Sequence, residues 1–490
     1  MTSYPLSVIK PAPQIADYLA TVDNSQTRWT IADGRLPCVV TGQQVGLFGG
    51  PLYTLLKICS AASLSAEISA ATGKPSRTVF WLEDVDHDAA EAGSAFVPSE
   101  SSLLQKRTIS ASADRLPVYN RTISEQNVAE ITQAIAGFDG RNADAVRENL
   151  LRVYTAGRLW TDCFLDMLQP YLDAWNIEVV RASSVLRSGI HLPLVLRDLE
   201  QSDLADAISE RSTEIAAQGY GLQAQAPETL FFVHLSGQRT RLHRTGSGFS
   251  TPEGRRFTPT ELKSIAEAQP ECFSPNVMGR PLVQDLYLNT TATVLGMAEW
   301  RYQQQLAYAY PLVNLTQPEL VLRHHTCLLD AKAERLLGKT TINIPAFFVP
   351  WEELERSEVT ALAENLVPEL PAATVEKLIA PYLNAAGRID VTLEKTVGAA
   401  QAAITTALEN LSARLRAGLK KKNAESVDRL HQLWWRIYPG GHLNERILPL
   451  ALWQARIGNN EMRSFAEYIC QHSRHQFHIV AVSDLPGLQP

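Results

Sequence analysis

The stretch from Leu36 to Glu91 constrains this chain most, because it reads as strand, glycine-rich turn, helix, turn, strand. Leu36 to Val40 is a short apolar run with two β-branched residues, and at Thr41-Gly42-Gln43-Gln44 the side chains turn polar, which predicts the strand's end. Pro51 stands where a first helical residue would, after a turn rich in glycine. Leu52, Leu55, Leu56 and Cys59 then recur at helical spacing, and Gly73 followed by Pro75 stops the helix. Thr78 to Leu82 is a second strand of the fully buried kind.

Two strands joined by such a helix are parallel and connected right-handedly, and ligands of such sheets bind beyond the carboxyl ends of the strands. That rule brings Thr41, Gly42, Gln43 and Gln44 to the edge where Glu83, Asp84, Asp86, His87 and Asp88 leave the second strand. Amides that donate and accept, an acidic cluster with one imidazole, and a helix amino terminus would share one cleft, the candidate active site. Asp86, His87 and Asp88 are the expected catalytic residues, with Asp86 or His87 as general base.

A chain of 490 residues predicts two or three structural units around a large core. The net charge of -7, with no long basic tract, argues against non-specific binding to nucleic acid or anionic membranes. The first twenty residues show no basic stretch leading into an apolar run, and no segment is apolar for long enough to span a bilayer, so a cytoplasmic protein is expected. Six cysteines without a C-x-x-C pair read as small hydrophobic residues, and no metal site is expected. Cys470, His472, His475 and His478 run into a strand, whose period of two spreads them over both faces.

Ser94 to Gly140 has few strand signals and reads as an insertion. A long helix is expected from about Asp144 to Trp175, then a strand at Ile177 to Arg181 and helical sequence to Gly219. Thr229 to His234 and Gln238 to Arg244 form a hairpin signal, followed by a short helix capped by Thr258. Thr291 to Leu295 is a further strand, which places Glu299 just past another carboxyl end; Asn276 and Arg280 suit carboxylates. Gly338-Lys339-Thr340 lacks the first glycine of a phosphate loop, since position 333 is Ala333, and Gly338 reads as a helix stop. His324 and His325 read as packing residues. Beyond Val359 long helical patterns dominate: Ile404, Leu408, Leu411, Leu415 and Leu419 form a seam that suits a coiled coil, with Pro381 and Gly387 allowing the chain to double back. Lys420, Lys421 and Lys422 read as a solvated face.

Several ordered blocks carry a family resemblance: Thr41 to Gln44, Gly46-Leu47-Phe48, Gly50 to Thr54, Trp81, Asp86-His87-Asp88, Phe273 to Val277, Arg280-Pro281, Val283-Gln284-Asp285, Glu299, Ile437 to Gly441, and Asn444-Glu445-Arg446. Together the chain resembles the cysteine-adding enzymes of bacillithiol synthesis, the BshC family. The resemblance implies the last step of that pathway, in which cysteine is joined to glucosaminyl-malate through an amide on the sugar amine. It also adds Gln284 and Asp285 to a substrate-binding set of Thr41, Gly42, Gln43, Gln44, Lys57, Asn276, Arg280 and Glu299. By residue type alone, Arg280, Gln284 and Asp285 would equally suit a solvated helix face. Whether ATP and magnesium activate the cysteine carboxylate stays open. The other readings are a nucleotidyltransferase-like enzyme of another pathway and a non-catalytic dimeric scaffold.

The expected architecture is α/β. A Rossmann-like parallel-sheet core spans residues 1–345, with insertions near 94–140 and 220–272. A helical coiled-coil element follows at 346–436 and forms a homodimer, and 437–490 packs back on the core.

Overall fold

The computed structural model describes residues 1–8, 35–99, 104–112, 114–246, 248–363, 366–367 and 372–486. Most of the amino-terminal stretch read for a leader, and Ser247 within the glycine-rich loop after the hairpin, lie outside the described residues. The chain divides into two compact units, Met1–Ala331 with Leu443–Pro490, and Lys332–His442.

The first unit is built on a five-stranded sheet: β1 (Cys38–Gln44), β2 (Arg77–Glu83), β3 (Glu178–Arg181), β4 (Ala292–Leu295) and β5 (Glu319–Leu322), in the spatial order β5-β4-β1-β2-β3. Every neighbouring pair is parallel. Helices cover both faces, so the strands can be apolar throughout; Val79 to Leu82 are all buried. The chain steps from β1 to β2 and β3 on one side, then returns to β4 and β5 on the other. This reversal beside β1 is the topological switch point where such sheets bind ligands. The arrangement is a Rossmann-like α/β core.

The predicted end of β1 is corrected. Thr41 to Gln44 belong to the strand, because β1 is central and its ladder with β2 runs on to the pair Gln44 and Glu83. Gly42 is required by close approach: a Cβ there would sit 2.9 Å from the carbonyl oxygen of Trp81. After a tight turn at Leu47–Gly49, helix α1 (Tyr53–Thr72) begins two residues beyond Pro51 and ends at left-handed Gly73.

The expected helix from Asp144 to Trp175 is two helices, Ala143–Val153 and Trp160–Ala174, separated by a turn at left-handed Gly157. The Ser94 to Gly140 region, poor in strand signals, holds an antiparallel pair, Ser94–Pro98 with Leu104–Thr108. A three-stranded antiparallel sheet of Phe273–Pro275, Phe231–Leu235 and Gln238–Arg241 contains the predicted hairpin. Thr258 caps the helix Pro259–Ala268 in a reciprocal pair with Glu261. The carboxyl-terminal segment closes onto this core. Strand Gln476–Ala481 pairs with His325–Leu329, and the backbone at Leu448 and Leu450 bonds to Leu52 and Gly50.

The second unit is helical: Trp351–Ala363, Ala372–Ile389, Glu394–Lys422 and Ala424–Ile437. Pro381 and Gly387, read as points of return, lie inside one helix; the reversal falls at Asp390 to Leu393, where Asp390 accepts a hydrogen bond from the Thr392 amide. Trp351, His431 and Trp434 form its aromatic centre, and the Trp434 indole donates to the Val349 carbonyl at 2.9 Å. No residue of Glu394–Lys422 is buried, and Leu411 and Leu415 are 54% and 43% exposed. No described helix is long and apolar enough to cross a membrane.

Candidate active site

A cavity of about 680 Å3 opens at the switch point, a size suited to small-molecule ligands. The carboxyl ends of β1, β2 and β4 line it with Gly42, Gln43, Gln44, Glu83, Gly296 and Glu299. Arg323 past β5, Arg239 from the hairpin, Arg280 on helix α2 (Gly279–Leu288) and Arg446 on the short helix Asn444–Ile447 complete the wall.

One side is a lattice of paired charges. The Lys57 ammonium, on α1, contacts Glu299 at 2.7 Å and donates to the Gly42 carbonyl and the Gln43 amide oxygen at 2.8 and 3.0 Å. Burial pushes the Lys57 pKa down while Glu299 pulls it back. Glu299 sits in the first turn of helix α3 (Met297–Gln303) and accepts from the Gly296 amide at 2.9 Å. Burial acts to raise its pKa, but Lys57, the Gly296 amide and Arg280 together hold the carboxyl below the usual value. Deeper in, Arg323 donates both guanidinium arms to Glu445 at 2.9 and 2.7 Å, and both residues are fully buried. The Thr326 amide completes the Glu445 shell at 2.9 Å. Burial, then Arg323, drives the adjacent His325 down to about 4, so the imidazole is neutral. The Tyr53 ring packs among Lys57, Arg323 and Arg446, with each cation within 6 Å of its centroid.

The other side belongs to β2. Asp86 accepts from the Gln44 amide at 2.7 Å on one oxygen, and from Arg239 at 2.9 Å and the His87 backbone amide at 2.7 Å on the other. Arg239 is itself buried, lies 4.0 Å over the Phe232 ring, and donates to Ser274 Oγ and the Pro275 carbonyl. His87 Nδ1 lies 3.3 Å from both Arg239 and Asp86; burial, then Arg239, lowers its pKa. Glu83 is half-buried and, among the described residues, its side chain accepts a single hydrogen bond, from the Trp81 indole at 3.0 Å. Burial raises its pKa to about 7 against the pull of Arg280. Arg280 belongs to the first side: it bonds Gln284 at 3.1 Å and, at 2.7 Å, the hydroxyl of Tyr302, which shares α3 with Glu299.

Of the residues singled out from sequence, Gly42, Gln43, Gln44, Lys57, Asp86, Asn276, Arg280 and Glu299 meet at this cavity. Asn276 does so with its side chain committed, bonding the Thr229 carbonyl and the Met278 and Gly279 amides at the start of α2. Thr41, Gln284, Asp285, His87 and Asp88 do not line it. Thr41 is buried in the sheet and donates to the Val294 carbonyl. Gln284 and Asp285 are buried too, and Asp285 accepts from Tyr310 at 2.5 Å. Asp88 is exposed and caps Ala89–Ala92. Asp84, from the same acidic run, is buried and accepts from the Ser183 amide and hydroxyl. Arg239, Arg323 and Arg446 escaped the sequence reading as site residues. Arg446 and Glu445 were visible as part of a motif; Arg239 carried no local signal.

Residues 20–324 match the family described as "Bacillithiol biosynthesis BshC, N-terminal Rossmann-like domain", and residues 326–482 match its "C-terminal coiled-coil domain". The chain belongs to the BshC family. It is 28% identical over 440 residues to a protein of Solibacter usitatus named "Putative cysteine ligase BshC", an alignment covering 87% of this chain and 81% of the relative. It is 29% identical over 444 residues to the like-named protein of Koribacter versatilis, covering 86% and 79%. A Staphylococcus aureus relative of the same name is 29% identical over 328 residues, covering 65% and 61%. The BshC coiled-coil match extends past the helical unit into Leu443–Pro490, which is compact with the Rossmann-like core. That tail supplies Glu445 and Arg446 to the cavity region, so in this BshC protein both family segments build the site.

Proposed function

We propose that the cavity joins cysteine to glucosaminyl-malate, forming an amide between the cysteine carboxyl and the sugar amine. The observation that carries this reading is the convergence, in one switch-point cavity of a BshC-family chain, of a cationic wall and a carboxylate wall. Arg280, half-buried, suits a malate carboxylate with its planar donor fork, and the buried Lys57 and Arg323, paired with Glu299 and Glu445, brace the wall behind it. Gln43, whose amide oxygen is held by Lys57 and whose nitrogen donates to Tyr53 at 3.2 Å, is fixed to contact sugar hydroxyls. The attacking amine must be neutral, and a carboxylate at the end of β2 is placed to take its proton.

Carboxylate activation falls to a nucleoside triphosphate when one is bound. The exposed guanidiniums of Arg241 and Arg446, which carry no ion pair among the described residues, fit its phosphate oxygens. The leucine seam of Glu394–Lys422, exposed at Leu411 and Leu415, supports a homodimer, since burying such a strip is worth roughly 25 cal/mol per Å2. The protein works in the cytoplasm in this reading.

The test is to incubate purified protein with glucosaminyl-malate and cysteine, with and without ATP and magnesium, and to follow product and nucleotide by mass spectrometry. Cysteinyl-glucosaminyl-malate is expected from the purified chain alone. Its absence under all conditions would refute the ligase reading.

A further inference from the structure

Among the described residues, four carboxylates line the cavity: Glu83, Asp86, Glu228 and Glu299. A proton acceptor needs an oxygen free to reach the substrate and a basicity near the working pH. Asp86 lacks the first, because Gln44 holds one oxygen while Arg239 and the His87 amide hold the other. Glu299 lacks the second, because Lys57 sits 2.7 Å from it and keeps it ionised. Glu228 is 60% exposed and lies beside His243 and the Arg244 amide, toward solvent. Glu83 meets both needs. One of its oxygens accepts from the Trp81 indole, and the other has no hydrogen-bond partner among the described residues.

We infer that Glu83 is the catalytic base of the ligation, taking the proton from the sugar ammonium at the carboxyl end of β2. The assignment rests on the ligase reading above. In the step, Glu83 carboxylate and the ammonium become carboxylic acid and neutral amine. The nitrogen lone pair then forms the C–N bond to the cysteine carboxyl carbon, which a nucleoside triphosphate has activated. The C–O bond to the phosphoryl-bearing oxygen breaks with its electron pair, and the second nitrogen proton leaves to solvent.

The surroundings suit a group that changes charge. Burial, and Asp84 just past the strand end, favour the protonated form, whereas Arg280 on α2, the Trp81 indole and Arg239 on the hairpin favour the ionised one. Their balance puts the carboxyl at about 7. The arginines that face it, Arg280 and Arg239, also answer to Glu299 and Asp86, so the ionic frame persists when Glu83 is neutral.

Glu83→Gln keeps the bond to Trp81 and removes the base. Product formation should fall at least a hundredfold, with the KM for glucosaminyl-malate within threefold of wild type. Because the sugar amine itself titrates near neutrality, the pH profile is paired with difference infrared spectroscopy of the full-length protein between pH 6 and 8. Wild type should show a carboxylic-acid band that disappears as pH rises through about 7, and Glu83→Gln should lack it. A variant within fivefold of the wild-type rate, or a band that persists in Glu83→Gln, overturns the assignment. If wild type shows the band but makes no product, the ligase reading fails, and this role in it fails with it. If product forms but no such band exists, the base assignment alone fails.

Discussion

On the side of the cavity formed by α1, α2, α3, the end of β5 and the short helix Asn444–Ile447, charges come in contact pairs: Lys57 with Glu299 and Arg323 with Glu445, each at 2.7 Å. At the end of β2, Asp86 is equally well held, but among the described residues Glu83 has only an indole N–H. The first arrangement fixes both geometry and protonation, because neither partner can change charge without stranding the other in a buried site. The second leaves one carboxylate able to gain or lose a proton at little cost to its neighbours. One wall is therefore built to bind, and the other to move a proton.

The comparison breaks first at its most buried pair. Glu445→Gln leaves the Arg323 guanidinium buried without its counter-charge, and about 3–5 kcal/mol of stability should be lost in denaturant unfolding. A loss below about 1 kcal/mol would mean that the pair does not brace the binding wall. Next comes Arg239→Lys. A lysine offers a point charge where Ser274, the Pro275 carbonyl and Asp86 need a fork, so turnover should fall about tenfold with the fold intact by circular dichroism. Wild-type turnover would show that Asp86 holds its place unaided.

Gln43→Ala sharpens the division between walls. It should raise the KM for glucosaminyl-malate about fivefold, the worth of roughly one hydrogen bond, and leave that for cysteine unchanged. Equal effects on both substrates would move Gln43 out of the sugar subsite. The smallest effect is on stability. Because the folded state raises the Glu83 pKa from 4.5 to about 7, folding favours its protonated form, and this contribution is lost as pH rises through about 7. Glu83→Gln should therefore melt about 2 °C above wild type at pH 8, and the difference should vanish near pH 4. The opposite order at pH 8 would show that Glu83 is comfortably ionised.

The sequence announced the binding wall better than the proton wall. The β1-α1-β2 unit and the carboxyl-edge rule placed Gly42, Gln43, Gln44, Lys57 and Glu299 together, because strand and helix periods are local and the switch-point rule is general. The acidic run after Trp81 misled for a physical reason. Five polar residues in six positions cannot all face one cleft: Asp84 turns inward to Ser183, Asp88 caps the next helix, and Asp86 is tied down by Arg239. Arg239 comes from a hairpin more than 150 residues away, and no periodicity relates the two. The apolar runs around Gln284 and Asp285 signalled a helix, but not that it would be buried on that face.

Binding without turnover tests the two-wall account most directly. Calorimetric titration of glucosaminyl-malate into wild type, Arg280→Met and Glu83→Gln separates the walls, since no chemistry is needed for the readout. Arg280→Met should weaken binding at least tenfold, as removal of one charge-assisted bond does, while Glu83→Gln should bind within threefold of wild type. Equal weakening in both variants, or undiminished binding in Arg280→Met, would contradict the division of the cavity into a binding wall and a proton-transfer wall.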